Sequence, residues 1–176
     1  MARSVNVGKG MIAGFAAGLV GAWAMNQFQT VWTLAVDGHE SQSSGGRHDG
    51  RDWQERGEDA NATELVAQRL AGTALDRSLT RDELSVAAPF VHYAFGALMG
   101  AFFGGLVERS NRVAPLTGAA WGTALWAVAD EVAVPMLRLS RPTIEYPAEV
   151  HLQAFASHLV YGITTEIVQA GVRAVM

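Results

Sequence analysis

Long apolar stretches separated by polar segments dominate this chain. The first runs from Gly10 to Val36, twenty-seven residues without a charged side chain. As an α-helix it is more than long enough to cross the hydrocarbon core of a bilayer. Further apolar stretches follow at about residues 84–107, 113–137 and 150–175. Together with residues 10–36 they predict an all-α protein, a four-helix transmembrane bundle in which residues 1–176 form one domain in the lipid bilayer.

One long polar insert, residues 37–83, separates the first two predicted spans. From Asp37 to Asn61 its only large apolar side chain is Trp53, a composition that predicts a disordered loop. A capping-box pattern at residues 61–64 and an apolar side then predict a short helix at the membrane interface; that side consists of Leu65, Val66, Leu70 and Leu75. A second capping box, Thr80 to Glu83, predicts the start of the second span.

Glycines recur every four residues in three of the predicted spans. They are Gly10, Gly14 and Gly18 in the first, Gly96, Gly100 and Gly104 in the second, and Gly118 and Gly122 in the third. Such seams let helix backbones approach closely in a membrane, where lipid gives apolar helices no hydrophobic reason to associate. We expect them to pack helices within the chain, or against other membrane proteins or a second copy.

The first apolar stretch has an alternative interpretation as a signal peptide. Arg3 and Lys9 precede it, and Ala22-Trp23-Ala24 resembles a cleavage site, so cleavage would leave three spans. However, the stretch continues to Val36, whereas signal sequences have shorter apolar regions. We therefore expect an uncleaved helix.

The basic residues beside short loops predict an orientation. With four spans, five lie on one side (Arg3, Lys9, Arg109, Arg112 and Arg173) and two on the other (Arg138 and Arg141). Since cytoplasmic loops carry the excess of Lys and Arg, both termini are predicted to be cytoplasmic.

Composition removes several classes of function. The net charge is −4 and the thirteen Lys and Arg residues form no dense cluster, so we expect no nucleic-acid binding. The chain contains no cysteine, which excludes disulfides, thiolate metal sites and cysteine nucleophiles.

Candidate chemistry is confined to polar groups at membrane depth, which are costly and tend to face the bundle interior. They form a candidate polar core of His92, Asp130, Glu131, His158 and Glu166. Asp130 and Glu131 lie about 100° apart around a helix, so both cannot face one partner. Pro135 follows them and weakens the helix locally. In the last span one polar stripe consists of His151, His158, Thr165 and Gln169, at spacings of seven and four.

Such a core suits a proton relay or a divalent metal, because histidines titrate near neutral pH and buried carboxylates have raised pKa values. The sequence contains neither an HExxH nor a Glu-x-x-His motif. We therefore predict no catalytic residue and no cofactor, keep a metal only as the weaker option, and favour hydrogen bonding between helices.

The C-terminal segment Ser157 to Ile167, followed by Arg173, resembles the last helix of the YagU-like bacterial inner-membrane proteins. The shared pattern is His-Leu-Val, a six-residue step, Glu-Ile and a basic end. This resemblance implies a small multi-pass protein of the bacterial inner membrane, without an established reaction and loosely associated with acid tolerance. It singles out His158 and Glu166.

Three functions fit these observations. We favour a non-enzymatic packing or assembly component of the membrane, with its polar core linked to acid response. The second is a proton- or ion-linked transport component that uses His158 and Glu166. The third is a membrane enzyme with a metal held by His92, His158 and an acid.

Overall fold

The computed structural model describes residues 5–43, 62–110, 116–140 and 143–176. These ranges contain helices and no strand, so the predicted all-α class is confirmed. The long helices are α1 (Val7–Ser43), α2 (Ala62–Leu75), α3 (Arg81–Arg109), α4 (Thr117–Leu125) and α6 (Ala148–Val175). A π-helical segment (Trp126–Ala133) and the short helix α5 (Val134–Met136) continue α4, and a 3₁₀ turn (Thr143–Glu145) precedes α6.

Glycines join α1 to α3 along an antiparallel contact. Gly10 faces Gly104, Gly14 faces Gly100, and Gly18 faces Gly96. A Cβ atom added at any of the three α1 positions would overlap the carbonyl oxygen of the glycine opposite. Only hydrogen atoms fit between the two backbones, so these two predicted seams pack against each other within the chain.

The same device joins α4 to α6, because a Cβ atom on Gly118 would overlap the carbonyl of Gly162, and one on Gly122 the carbonyl of His158. Helix α6 also packs against α1, where Gly21 meets Tyr161. The order of packed neighbours is therefore α3, α1, α6 and α4. In the core Tyr161 donates a hydrogen bond to the carbonyl of Gly96 at 2.6 Å, which links α6 to α3.

Helix α3 begins at the capping box that the sequence predicts. The Thr80 hydroxyl accepts from the Glu83 amide at 3.3 Å, and the Glu83 carboxylate accepts from the Thr80 amide at 2.8 Å. These two bonds satisfy amide groups that have no partner inside the helix. The prediction of a capping box at Thr80 is confirmed.

Helix α1 is longer than predicted. It continues to Ser43, so the expectation that a loop starts at Asp37 is wrong. Once a helix has been nucleated, each further residue adds a hydrogen bond, and α1 extends into polar sequence for this reason. Residues 44–61, which hold the rest of the predicted loop and Asn61 of the first capping box, lie outside the described residues.

The third predicted span is not one continuous α-helix. Its helix starts at Thr117 and changes at Trp126 to π-helical hydrogen bonding, in which the Val134 amide donates to the carbonyl of Ala129. Pro135 explains the change, because proline has no amide hydrogen and its ring clashes with the carbonyl four residues earlier in an α-helix. The predicted weakening at Pro135 thus takes the form of a π-helical segment.

The end of α5 is closed by backbone and side-chain hydrogen bonds. Arg138 adopts a left-handed conformation with φ 53°, which lets the amides of Arg138 and Leu139 reach the carbonyls of Pro135 and Val134, both at 2.9 Å. Arg69 on α2 donates to the carbonyls of Leu137 and Arg138 at 2.7 and 3.1 Å. Helix α2 therefore holds the end of α5.

Helix α2 confirms the predicted short helix before the second span. It packs against α3 and buries Ala67 and Ala71. Gln68 fixes the turn between the two helices, because its side-chain amide donates to the Leu79 carbonyl and accepts from the Leu79 amide at 3.0 and 2.9 Å.

Two helical stretches are long and apolar enough to cross a membrane: Val7–Val36 of α1, and α3, Arg81–Arg109. The described residues thus contain two candidate spans rather than the predicted four. The third is divided by the π-helical segment, and polar residues such as His158 and Gln169 lower the hydropathy of α6.

Candidate functional site

The polar side chains of α6 face the interior of the bundle. The buried residues on this helix include Ser157, His158, Thr165, Gln169 and Arg173. Ser157 and Thr165 satisfy their hydroxyls within α6, by donating to the carbonyls of Gln153 and Tyr161 at 2.7 Å. The polar stripe of the sequence is therefore an interior surface, in contact with α1 and α4.

His158 lies at the centre of this surface. Its Nδ1 is 2.9 Å from the carbonyl oxygen of Ala154 and 3.6 Å from a carboxylate oxygen of Asp130. Because a carbonyl only accepts, Nδ1 carries the hydrogen and the neutral ring keeps its lone pair on Nε2. Nδ1 of His158 therefore faces both the backbone of α6 and the carboxylate of Asp130.

His92 reaches the same region from α3. Its ring lies beside the backbone of Ala22 on α1 and near His158 on α6. The Nε2 atom of His92 is buried and has no hydrogen-bond partner among the described residues. His92 of α3 and Asp130 of the π-helical segment thus both lie near His158 of α6.

Glu131 forms a second pair with a histidine. Its carboxylate oxygen is 2.7 Å from Nδ1 of His151, and both side chains are mostly buried. The π-helical segment therefore directs its adjacent acids to two histidines that lie seven residues apart on α6, Glu131 to His151 and Asp130 to His158. This agrees with the expectation that the two acids cannot share one partner.

Glu166 lies apart from these pairs. It is eight residues beyond His158, about 12 Å along α6. Its carboxylate accepts from the amide of Gly118 at 2.8 Å, at the start of α4. A carboxylate at a helix N-terminus satisfies a free amide and favours the helix dipole. The structure therefore gives Glu166 a capping contact and does not bring it to His158.

The candidate polar core is thus divided among three places, and within the described ranges no three His, Cys, Asp or Glu side chains converge as metal ligands do. The candidate polar core did not include His151, the partner of Glu131. Its seven-residue spacing from His158 in the polar stripe is the signal that could have identified it.

A further charged cluster, which the sequence analysis did not predict, lies where α3 and α6 end. Arg173 donates to both carboxylate oxygens of Glu108, at 2.6 and 3.0 Å, and their side chains are 5% and 7% exposed. The Asn6 amide donates to the same carboxylate at 3.1 Å. The antiparallel order of the helices is the signal that could have paired these residues, because it places the ends of α3 and α6 together.

Comparison with known proteins gives one finding. No curated protein and no solved structure has a significant match to this chain. Residues 65–167, more than half of the chain, match a family described as "Protein of unknown function (DUF1440)". The match covers most of α2, all of α3, the helices of the third predicted span and most of α6, including all five residues of the candidate polar core. The chain therefore belongs to the DUF1440 family.

Proposed function

We propose that this protein is a membrane bundle of four helical passes, in which α4, the π-helical segment and α5 form the third pass and α6 the fourth. The distribution of side chains on α6 supports this. Thr165 is fully buried and Gln169 is 4% exposed, whereas Leu152 and Ile167 are 56% and 67% exposed. A helix with polar groups inside and large apolar groups outside suits a lipid environment.

We further propose that this chain is a YagU-like protein of the bacterial inner membrane and that both of its termini lie in the cytoplasm. Lys9 and Arg109 lie at the end of the bundle where α1 begins and α3 ends, as cytoplasmic basic residues do. Because the chain has no cysteine, Arg109→Cys and Arg77→Cys can be labelled singly in cells with a membrane-impermeant maleimide. Only Arg77→Cys should react from outside; equal labelling of both would overturn the orientation.

Within the membrane we propose a non-enzymatic packing or assembly component that responds to acid. The observation that carries this proposal is the pairing of both acids of the π-helical segment with histidines of α6. Protonation of the histidines strengthens these pairs, and protonation of the carboxylates at lower pH removes the attraction and leaves buried positive charge. Packing of the π-helical segment on α6 should therefore depend on pH.

Trp126 provides a local reporter for this test. It lies in the π-helical segment, and its ring centroid is 5.1 Å from that of Phe155, which α6 carries between the two histidines. In a variant that keeps only Trp126, fluorescence in lipid vesicles should change between about pH 8 and pH 5, where histidine titrates. The change should disappear in the double variant His151→Gln, His158→Gln.

Glu166→Gln is the matched control, because Glu166 lies on α6 but contacts α4 at its start. It should keep the fluorescence change. A pH-dependent fluorescence change that survives in the double histidine variant would contradict the proposal of an acid-responsive core. So would the absence of a fluorescence change in the variant that keeps both histidines.

The continuous buried stripe on α6 favours one second candidate, a proton-linked transport component. Its buried positions, from Ser157 to Arg173, cover about 24 Å of helix, and the partly buried His151 extends the polar stripe to about 33 Å, the thickness of a hydrocarbon core. Proton flux into liposomes with an enclosed pH-sensitive dye tests it. Flux that is lost in both His158→Ala and Glu166→Gln would support transport, and flux no greater than in empty liposomes would reject it.

A further inference from the structure

An apolar groove of about 310 Å³ lies between α3 and α4. Three residues of each helix form most of it: Phe103, Leu106 and Val107 of α3, and Ala120, Trp121 and Ala124 of α4. Ala120, Ala124 and Leu106 are exposed, so the groove opens on the outer surface of the bundle rather than into the polar core.

The groove lies where α3 and α4 meet without a glycine seam between them. Their described contact includes ring packing of Phe102 and Phe103 on Trp121, with centroids 5.7 Å apart in both pairs. Small side chains on α4, Ala120 and Ala124, leave space that these rings do not fill. The resulting volume is at the low end of small-ligand pockets.

The ends of the groove differ in polarity. Ser110 and Thr117 line one end, and Arg109 precedes Ser110 directly. Arg109 is exposed, and no acidic partner for it occurs in the part of the chain that the structure describes. An apolar channel with the basic residue Arg109 beside its polar end on α3, although outside its lining, complements an acyl chain that carries an anionic headgroup.

We propose that this groove binds one acyl chain of an anionic phospholipid, with the lipid phosphate at Arg109. The inference rests on the proposed membrane location, because only then does the outer surface face lipid. The acyl chain covers the apolar walls of the groove, and the charged headgroup of the lipid stays at the polar end. The lipid would thereby join α3 and α4, whose described contact includes the aromatic rings packed on Trp121.

Quenching by brominated phospholipids tests the proposal in reconstituted vesicles. Two single-tryptophan variants are compared, one that keeps only Trp121, in the groove, and one that keeps only Trp23, which is exposed on α1. Both should be quenched by bromine on the acyl chains. If Trp23 is not quenched, the membrane location fails; if Trp23 is quenched and Trp121 is not, only the groove proposal fails.

Filling the groove distinguishes a bound chain from general lipid contact. Ala124→Phe should abolish most of the quenching of Trp121 and leave that of Trp23 unchanged. Val128→Phe, which enlarges an exposed position on the same pass outside the groove, should leave both unchanged. Equal quenching of Trp121 in the two variants would overturn the proposal.

The headgroup is tested with brominated lipids of different charge. Quenching of Trp121 should favour anionic over zwitterionic lipid about fivefold in affinity, the contribution of one basic residue near a membrane surface. Arg109→Gln should remove this preference. Arg81→Gln, at the other end of the same helix, should keep it, and a preference that persists in Arg109→Gln would refute the assignment of the phosphate.

Discussion

Replacement of one glycine by alanine should have opposite effects at two helical positions of this protein. At Gly171 on α6 nothing lies within 4 Å of an added Cβ atom. Alanine there should stabilise by up to about 1 kcal/mol, because it restricts the unfolded chain and favours the helix. At Gly100 an added Cβ would overlap the carbonyl of Gly14 and lie 2.6 Å from Cα of Gly18.

The atoms that meet Gly100 belong to the backbone, so no side chain can rotate away and α1 must separate from α3. Overpacking of a close-packed core typically costs about 1–3 kcal/mol, and separation also weakens the contacts at Gly96 and Gly104. Gly100→Ala should therefore destabilise by about 1–2 kcal/mol after the gain in helix propensity.

Reversible unfolding in mixed detergent micelles, followed by circular dichroism, measures both variants under the same conditions. Gly171→Ala controls for the intrinsic effect of the change from glycine to alanine. If Gly100→Ala is as stable as Gly171→Ala, the α1–α3 contact does not have the close backbone approach described above.

Three further substitutions test other contacts by the same unfolding measurement. Arg173→Ala should lower stability more than Arg81→Ala, since it leaves the Glu108 carboxylate buried without its bidentate partner; equal losses would contradict this. Arg138→Gly should stabilise by about 1 kcal/mol, because glycine adopts a positive φ without cost, whereas Arg138→Ala should give no such gain. Glu166→Ala should cost about 1–2 kcal/mol through the lost bond to the Gly118 amide, with Glu145→Ala, at an exposed position, as the neutral control.

Features that depend on local sequence could be predicted. The capping box at Thr80 is confirmed because its signal lies within four residues that interact with each other. The glycine spacing likewise predicted close helix packing. It could not give the register, because the pairing of Gly14 with Gly100 depends on the whole antiparallel arrangement of α1 and α3.

Features that depend on tertiary contact could not be predicted. The charge of Glu166 suggested a functional core, but its nearest described partner is the amide of Gly118, 48 residues away. Pro135 indicated a weak point, although the sequence did not show that the backbone would respond with π-helical bonding over eight residues. That response determines which histidine each of Asp130 and Glu131 meets.

The contact that α4 and the π-helical segment make with α6 changes in character along its length, from close backbone packing to pairs of charged side chains. This change bears on where the proposed acid response acts. At the start of α4, Gly118 and Gly122 hold the two backbones in close contact, and Glu166 caps the helix. Beyond Leu125 the pass becomes π-helical and meets α6 through the pairs of His151 and His158. In the proposed acid response, a change of protonation at the Glu131–His151 pair acts on the part of the contact that glycines do not hold, whereas His158, whose carbonyl packs against Gly122, lies at the edge of the glycine-packed part that keeps the helices in register.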